Sequence, residues 1–246
     1  MARPERRGRY RFQAVTRPVV ELGADSLGGL DVMVRNPPLL TDGAPGLGGD
    51  VDVPARLVLD RVEASDDIPV ANAALVHAAL RTVESAPSAT DRAPFVAIAL
   101  HAGFIDDGAF LDTVKSAVRR SGVDPHRLLL SVKPDPDLDR VWPSLQRLRS
   151  HGVRVALEIA GTDAESVALL HRHSFDVVRV PAVVAVDAVG AASAGVVRLV
   201  AVERGQVWIE DVATPDEMTA LAAAGCRFAS GPVPPEPDAT IERRPV

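Results

Sequence analysis

Cysteine is almost absent from this chain of 246 residues: Cys226 stands alone. That excludes an intramolecular disulfide and any cysteine-rich zinc centre. Lysine is nearly as scarce, with Lys115 and Lys133 set against an abundance of arginine; beside so much alanine and valine this reads as codon bias and carries no function. There is no excess of positive charge. The net charge is −6 and the isoelectric point near 5.5, which argues against nucleic acid as the main partner, since such proteins present a basic face. No apolar run reaches the roughly 18 residues that a membrane-crossing helix needs. The first residues, MARPERRGRYRF, are basic with no apolar segment after them, so no secretory leader and no membrane partner are expected, and the chain reads as cytoplasmic. Nucleotide and hydrolase signatures are missing too: there is no G-x-G-x-x-G after a strand, no P-loop, no G-x-S-x-G and no H-E-x-x-H.

What is there is a regular alternation. Apolar residues make up 47% and charged residues 24%, the balance of a folded domain. Short β-branched or apolar runs are expected as strands at Phe95–Leu100, Leu128–Val132, Val153–Ile159, Val177–Val180, Val207–Val212 and Cys226–Ala229. Between them, helix-period segments are expected at Asp107–Ser121, Leu138–Ser150, Asp163–His173, Ala188–Glu203 and Pro215–Ala224. Phe110, Leu111, Val114 and Val118 share one helical face. Asp163 is placed to cap its helix, and Pro215 and Gly225 bracket theirs. Strands alternating with helices mean parallel β/α units. Ahead of them, Ala14–Leu22 and Leu27–Val34 read as a hairpin turning at Gly23–Ser26. Asn36–Val53 reads as a Pro/Gly-rich loop, and Pro54–Glu84 as helical in parts. Six β/α strands plus a hairpin favour a closed α/β barrel. The expected organisation is a single barrel domain over 10–237, with flexible ends at 1–9 and 238–246.

The order of elements and several motifs resemble the EAL domain, the (β/α)8-like TIM barrel of cyclic di-GMP phosphodiesterases, whose first strand is antiparallel; here the hairpin strand carrying Asp31 is expected as the exception in direction, still delivering its side chain to the barrel mouth. TRPVVELGADSLGGLDVMVR (Thr16–Arg35) aligns without gaps to the family opening YQPIVDL…G.EALVR. VWIEDVAT (Val207–Thr214) stands where the family has VVAEGVET, and Gly225–Pro232 where it has GC…QGY. In active members, carboxylates and one asparagine at the strand ends hold two divalent metals that activate a water against a phosphodiester, and hard cations of this kind need several oxygen ligands.

Carried over residue by residue, the resemblance implies a degenerate site. Asp31 replaces the signature glutamate, Met33 the leucine and Arg17 the opening glutamine, while Arg35 keeps the arginine that contacts a ligand phosphate. Ala99 stands at the metal-binding asparagine, with His101 beyond it as a candidate substitute ligand or a plain strand-end polar residue. Ser131 and Pro134 replace two glutamates. DDFGTG appears as EIAGTD, leaving Glu158 beside Ile159. Arg179 stands for the catalytic lysine and Pro181 for an aspartate. Glu210 keeps one glutamate, Asp211 replaces a glycine and Ala213 the second glutamate. Ser230 replaces the glutamine that reads guanine.

The intact catalytic set is therefore gone, with Asp31, Glu158, Arg179 and Glu210 as its remnants. Asp31, Glu158 and Glu210 are the metal candidates, able to hold one weak Mg²⁺ among waters; no resident cofactor is expected. Arg35, Arg17 and Arg179 are the candidates for an anionic ligand, or else they neutralise the three carboxylates as a salt-bridged barrel mouth. The expected function is a catalytically inactive regulator in cyclic di-GMP-related signalling, acting through a protein partner or a homodimer. The alternatives are a sensor that binds cyclic di-GMP or another anion without turnover, and a weak metal-dependent phosphodiesterase. Elsewhere, His171 and His173 are expected as exposed helix-end histidines, Trp208 as core or helix-facing packing, and Arg3, Arg6, Arg7 and Arg9 as a solubilising start.

Overall fold

The hairpin expected at the start forms from β1 (Gln13–Glu21) and β2 (Ser26–Arg35), paired antiparallel from Gln13↔Arg35 to Glu21↔Ser26. Gly23, at φ 79°, supplies the left-handed residue the turn needs. Between Val19 and Val20 the register slips, leaving Gly28 as an extra residue on β2. A Cβ there would come within 2.9 Å of the Phe228 ring, so the bulge position is closed to larger residues.

The structure is a computed structural model that describes residues 13–24, 26–35, 52–54, 68–85, 94–102, 105, 108–161, 163–182 and 205–232. After the hairpin come β3 (Asp52–Pro54), α1 (Ile68–Ser85), β4 (Phe95–Ala99), α2 (Gly108–Ser121), a 3₁₀ turn (Pro125–Arg127), β5 (Leu128–Val132), α3 (Leu138–Arg149), β6 (Arg154–Glu158), α4 (Ala164–Arg172), β7 (Val177–Pro181), β8 (Gln206–Glu210), α5 (Pro215–Ala223) and β9 (Phe228–Ala229). Hydrogen bonding runs β1-β9-β8-β7-β6-β5-β4-β2 and returns to β1, closing an eight-stranded barrel, with β3 added at the outer end of β2. The described helices lie around it.

Strand directions follow the expected barrel with one correction. The strand carrying Asp31, expected as the reversed one, is β2, and it runs parallel to β4. The reversed strand is β1, antiparallel to both β2 and β9. Because β1 is reversed, its early residue Arg17 reaches the end of the barrel where the parallel strands finish.

Helix ends follow the expected chemistry. Asp163 accepts from the Ser166 amide at 2.9 Å as the cap of α4. Thr214 and Glu217 close a capping box on α5, with Pro215 in its first turn. Gly122 and Gly225, past α2 and α5, take φ 66° and 89°, the left-handed stop that glycine adopts without strain. The α2 face of Phe110, Leu111, Val114 and Val118 is buried as its spacing predicts.

Four readings are corrected. Asp52–Pro54, within or beside the expected loop, is a strand, held by the outer edge of β2 rather than by its own three residues. Cys226 precedes its strand, which is only two residues long. β8 ends at Glu210, not Val212. His173 is not an exposed helix-end residue: it stacks on Trp142 at 4.4 Å and its Nε2 lies 2.6 Å from Asp139. The segments expected as flexible ends at 1–9 and 238–246 and as a helix at 188–203 lie outside the described residues. Among the described residues no helix is long and apolar enough to cross a membrane.

Side-chain alternation divides the core in two. Outward-facing strand residues such as Val96, Ile98, Leu130, Val155 and Leu157 pack under the helices. Inward-facing Val19, Phe95, Ala97, Leu129, Ala156, Val177, Trp208 and Phe228 fill the middle of the barrel. This apolar plug separates two polar layers, one at each mouth.

Candidate functional site

The upper mouth, at the C-terminal ends of the parallel strands, is where barrels of this kind carry chemistry. The alternation that puts Trp208 in the plug puts Glu210 one layer above it, and the same step lifts Glu158 above Ala156, Arg179 above Val177 and Ser131 above Leu129. Asp31 and Arg17 arrive from β2 and β1, where they are directly opposed in the hairpin register.

Arg179 is the centre of the layer and only 2% exposed. Its Nη2 donates to both Asp31 oxygens at 3.1 Å and to Glu210 Oε1 at 2.6 Å. Its Nη1 donates to the Ser131 hydroxyl at 3.0 Å and lies 3.0 Å from Glu158 Oε1. Its guanidinium carbon stands 4.0 Å from the Trp208 ring centroid, a stacking that arginine's flat fork allows. Trp208 in turn donates its indole N–H to the Ser230 hydroxyl at 2.9 Å. Arg17 covers the cluster from the rim. Its Nη2 reaches Asp31 at 3.1 Å and Glu210 at 3.4 Å, and its Nη1 reaches Asp211 at 3.0 Å.

The structure thus brings together Asp31, Glu158, Glu210, Arg17 and Arg179. Arg35 closes β2, and its side chain lies outside the described residues. Ala99 ends β4 and offers no ligand atom; His101 lies past that strand, its backbone N–H and C=O both bonded to the side chain of Asn72 on α1. Ile159 points into the outer apolar shell.

Three residues carry more than the sequence reading gave them. Ser131 is a hydrogen-bond partner of the central guanidinium, not merely a lost glutamate. Trp208 is its stacking platform and faces the barrel interior, not the helices. Asp211 is the outer partner of Arg17 and sits at φ 60°, a left-handed conformation that aspartate adopts more readily than most residues. The glycine of the resembled motif was the available signal for that conformation.

Burial lifts the Asp31 carboxyl above its ordinary value, with Arg179 and Arg17 pulling the other way. Burial also opposes charge on Arg179, but Asp31, Glu158 and Glu210 outweigh it and hold the guanidinium above its ordinary value. Arg17 follows the same pattern: burial works against it, and Asp31, Glu210 and Asp211 prevail. Both arginines are therefore firmly charged. Three buried carboxylates face two guanidiniums, and the layer is slightly negative before Asp211 is counted.

A divalent cation does not fit this donor set. The Nη atoms of Arg179 already occupy the space between the three carboxylates, at 2.6–3.1 Å from their oxygens. An ion among the same oxygens would stand against a guanidinium. Among the described residues no group of three or more His, Cys, Asp or Glu is disposed to hold a metal.

A family model described as the EAL domain matches residues 51–234. An uncharacterised protein of Mycobacterium tuberculosis is 30% identical over 175 residues, 70% of this chain and 54% of that protein. The chain spans about half the length of the curated relatives it matches. The EAL domain of Xanthomonas citri FimX, solved in complex with c-diGMP, superimposes with a TM-score of 0.70 at 17% identity, over 89% of this chain and 85% of that one. Klebsiella pneumoniae BlrP1, solved as a calcium and cyclic-diGMP complex, gives 0.64 at 19% identity, over 94% of this chain and 56% of that one. The hairpin falls outside the family-model match, but the barrel as a whole is shared with these structures.

Proposed function

The chain belongs to the EAL domain family, that of the cyclic di-GMP phosphodiesterases, and from that premise we propose that it is a member that regulates without hydrolysing, acting through contact with another protein or a second copy of itself. The observation that carries this reading is the position of Arg179. Two-metal hydrolysis needs two cations a few Å apart, each held by several oxygens. Here the remaining carboxylates converge on a side chain of the protein. A guanidinium supplies positive charge but no open coordination position for a water, and at this charge state it cannot serve as a base.

The same geometry weighs against anion capture at the upper mouth. Arg17 and Arg179, the two described candidates for gripping a phosphate, have their charge taken up by Asp31, Glu158, Glu210 and Asp211. An incoming anion would have to displace one of these carboxylates from its guanidinium. Ser230, in the place of the guanine-reading glutamine, has its hydroxyl engaged by Trp208. Recognition of a base edge would lack its partner, which selectively costs affinity. With the upper mouth closed to metal and anion alike, these observations support a role through protein contact there.

Incubation with cyclic di-GMP and Mg²⁺ or Mn²⁺ tests the reading. No linear product above background is expected; metal-dependent linear product that disappears in Glu210→Ala would overturn it. Titration calorimetry with cyclic di-GMP should show binding no tighter than roughly micromolar, about −8 kcal/mol. Nanomolar affinity would make the protein a sensor instead.

A further inference from the structure

At the other end of the barrel the ion pairing is incomplete. Arg154 opens β6 and, by the alternation that points Ala156 and Glu158 inward, enters the lumen from below. Its guanidinium lies over the Phe95 ring at 5.5 Å, and its Nη2 donates to Gln206 Oε1 at 2.7 Å. Gln206 is neutral, and among the described residues no carboxylate forms an ion pair with Arg154. Arg127, on the adjacent 3₁₀ turn, gives its Nε to the Pro94 carbonyl at 3.0 Å, and its Nη2 is buried with no hydrogen-bond partner.

The carboxylates nearby are already committed. Asp176 takes Arg149 twice, at 2.9 and 3.0 Å, and the Val155 amide at 2.8 Å. Glu21 takes Arg227 at 2.8 Å. Asp124 accepts from the His126 amide at 3.0 Å. These groups surround a cavity of about 470 Å³, within the roughly 300–1,000 Å³ of small-molecule sites. Its apolar wall is made by Phe95 and Phe228, packed edge to face with centroids 5.1 Å apart.

We propose that this lower mouth binds a small phosphate monoester with a flat apolar group, its oxygens on Arg154 and Arg127 and its flat part against Phe95 and Phe228. A guanidinium taken out of water without a carboxylate is costly, and a phosphate oxygen pair matches its fork. Burial pushes the guanidinium pKa of both arginines below the ordinary value, outweighing the pull of Asp176 on Arg154 and of Asp124 on Arg127, and for Arg154 the nearby Arg227 adds to the effect. A bound anion would relieve that cost. The site lies across the apolar plug from the Arg179 cluster, so it stands whether or not the upper mouth is inactive.

The test is titration calorimetry on the full chain with phenyl phosphate, inorganic phosphate and phenol. Phenyl phosphate should bind saturably below about a millimolar, and at least about tenfold more tightly than either fragment, since about 1.4 kcal/mol of added contact gives that factor. Arg154→Gln should weaken it about tenfold or more, while Arg35→Gln, at the opposite mouth, should leave it unchanged. Absence of saturable binding to the unmodified protein overturns the proposal. So does binding that survives Arg154→Gln and is lost in Arg35→Gln. Equal affinity for inorganic phosphate and phenyl phosphate overturns the role given to the two rings. Should Arg154→Gln fail to fold, Arg127→Gln takes its place, and undiminished affinity in that variant is equally fatal.

Discussion

The two mouths of this barrel hold the same kinds of residue in opposite balance. At the upper one, Asp31, Glu158 and Glu210 close around Arg179, Arg17 covers them, and every described guanidinium has at least one carboxylate within 3.1 Å. At the lower one, Glu21, Asp124 and Asp176 are each taken by other partners, and Arg154 and Arg127 are left with a glutamine and a carbonyl. Between them lies the plug of Trp208, Phe95, Phe228 and smaller residues. Position in the barrel alone does not decide which mouth acts. What matters is whether a charge is already spent. A saturated cluster holds the fold together and resists ligands. An unsaturated one costs stability and invites them.

The largest test of this contrast is Arg179→Met. It leaves three buried carboxylates facing each other, and breaking a buried pair in this way costs about 3–5 kcal/mol. Urea unfolding should register that loss. Millimolar Mg²⁺ should restore part of it, because the guanidinium that stood between the three carboxylates is gone and Arg17 reaches only Asp31 and Glu210 among them, while the unmodified protein should show no Mg²⁺-dependent stabilisation. A variant of native stability would mean that the cluster carries little of the fold.

A second test stays with the loops of the upper mouth. Asp163→Ala removes the cap of α4 and should cost about 1 kcal/mol. The Ser166 amide and hydroxyl hold the Asp163 carboxyl below its ordinary value. Its contribution is therefore present above the ordinary carboxylate range and is lost as the pH falls through the lowered value. The gap between wild type and Asp163→Ala should narrow in acid; a gap that widens there would contradict the cap.

At the lower mouth the cost should all but vanish. Arg154→Met replaces an unpaired, desolvated cation with a thioether of similar length, so it should change stability by less than about 1 kcal/mol in either direction. A loss like that of Arg179→Met would erase the difference between the mouths. The smallest effect is none. Cys226, buried just before β9 with its thiol pushed up to about 11 by burial, should not react with a disulfide reagent at pH 8 until the protein unfolds. Rapid labelling of the native protein would show that this end of the barrel opens on its own.

The sequence disclosed the barrel better than the chemistry within it. Leu128–Val132 is read to the residue because a short aliphatic run, interrupted only by Ser131, stands between turn-forming residues on both sides. β3 is missed because three residues ending in proline carry no period, and it is a strand only where β2 already offers an edge. The upper-mouth residues were legible through motif positions, down to the pairing of Arg17 and Arg179 with the carboxylates. What motifs could not supply is centrality: that Arg179 lies in the middle depends on the inward register of five strands at once. The lower mouth left no trace, since Glu21, Arg154, Gln206 and Arg227 come from four separate strand ends with no shared signature. The direction of the Asp31 strand is not legible in the sequence, because a hairpin shows which two strands oppose each other, not which of them agrees with the rest of the sheet.

β1 holds β2 through nine residue pairs but meets β9 through only two, Val20↔Ala229 and Glu21↔Phe228, clasped by the Glu21–Arg227 bond across 206 residues of sequence. During synthesis the hairpin can form early, yet its free edge has no partner until almost the whole described chain has emerged. For that interval β1 and then β8 present unpaired amides and carbonyls, the template on which strands of other chains add. The final contacts also carry the largest loop-closure cost. Aggregation of nascent or refolding protein should begin at this seam, and amides of β1 facing β9 should be the first in the barrel to exchange with solvent.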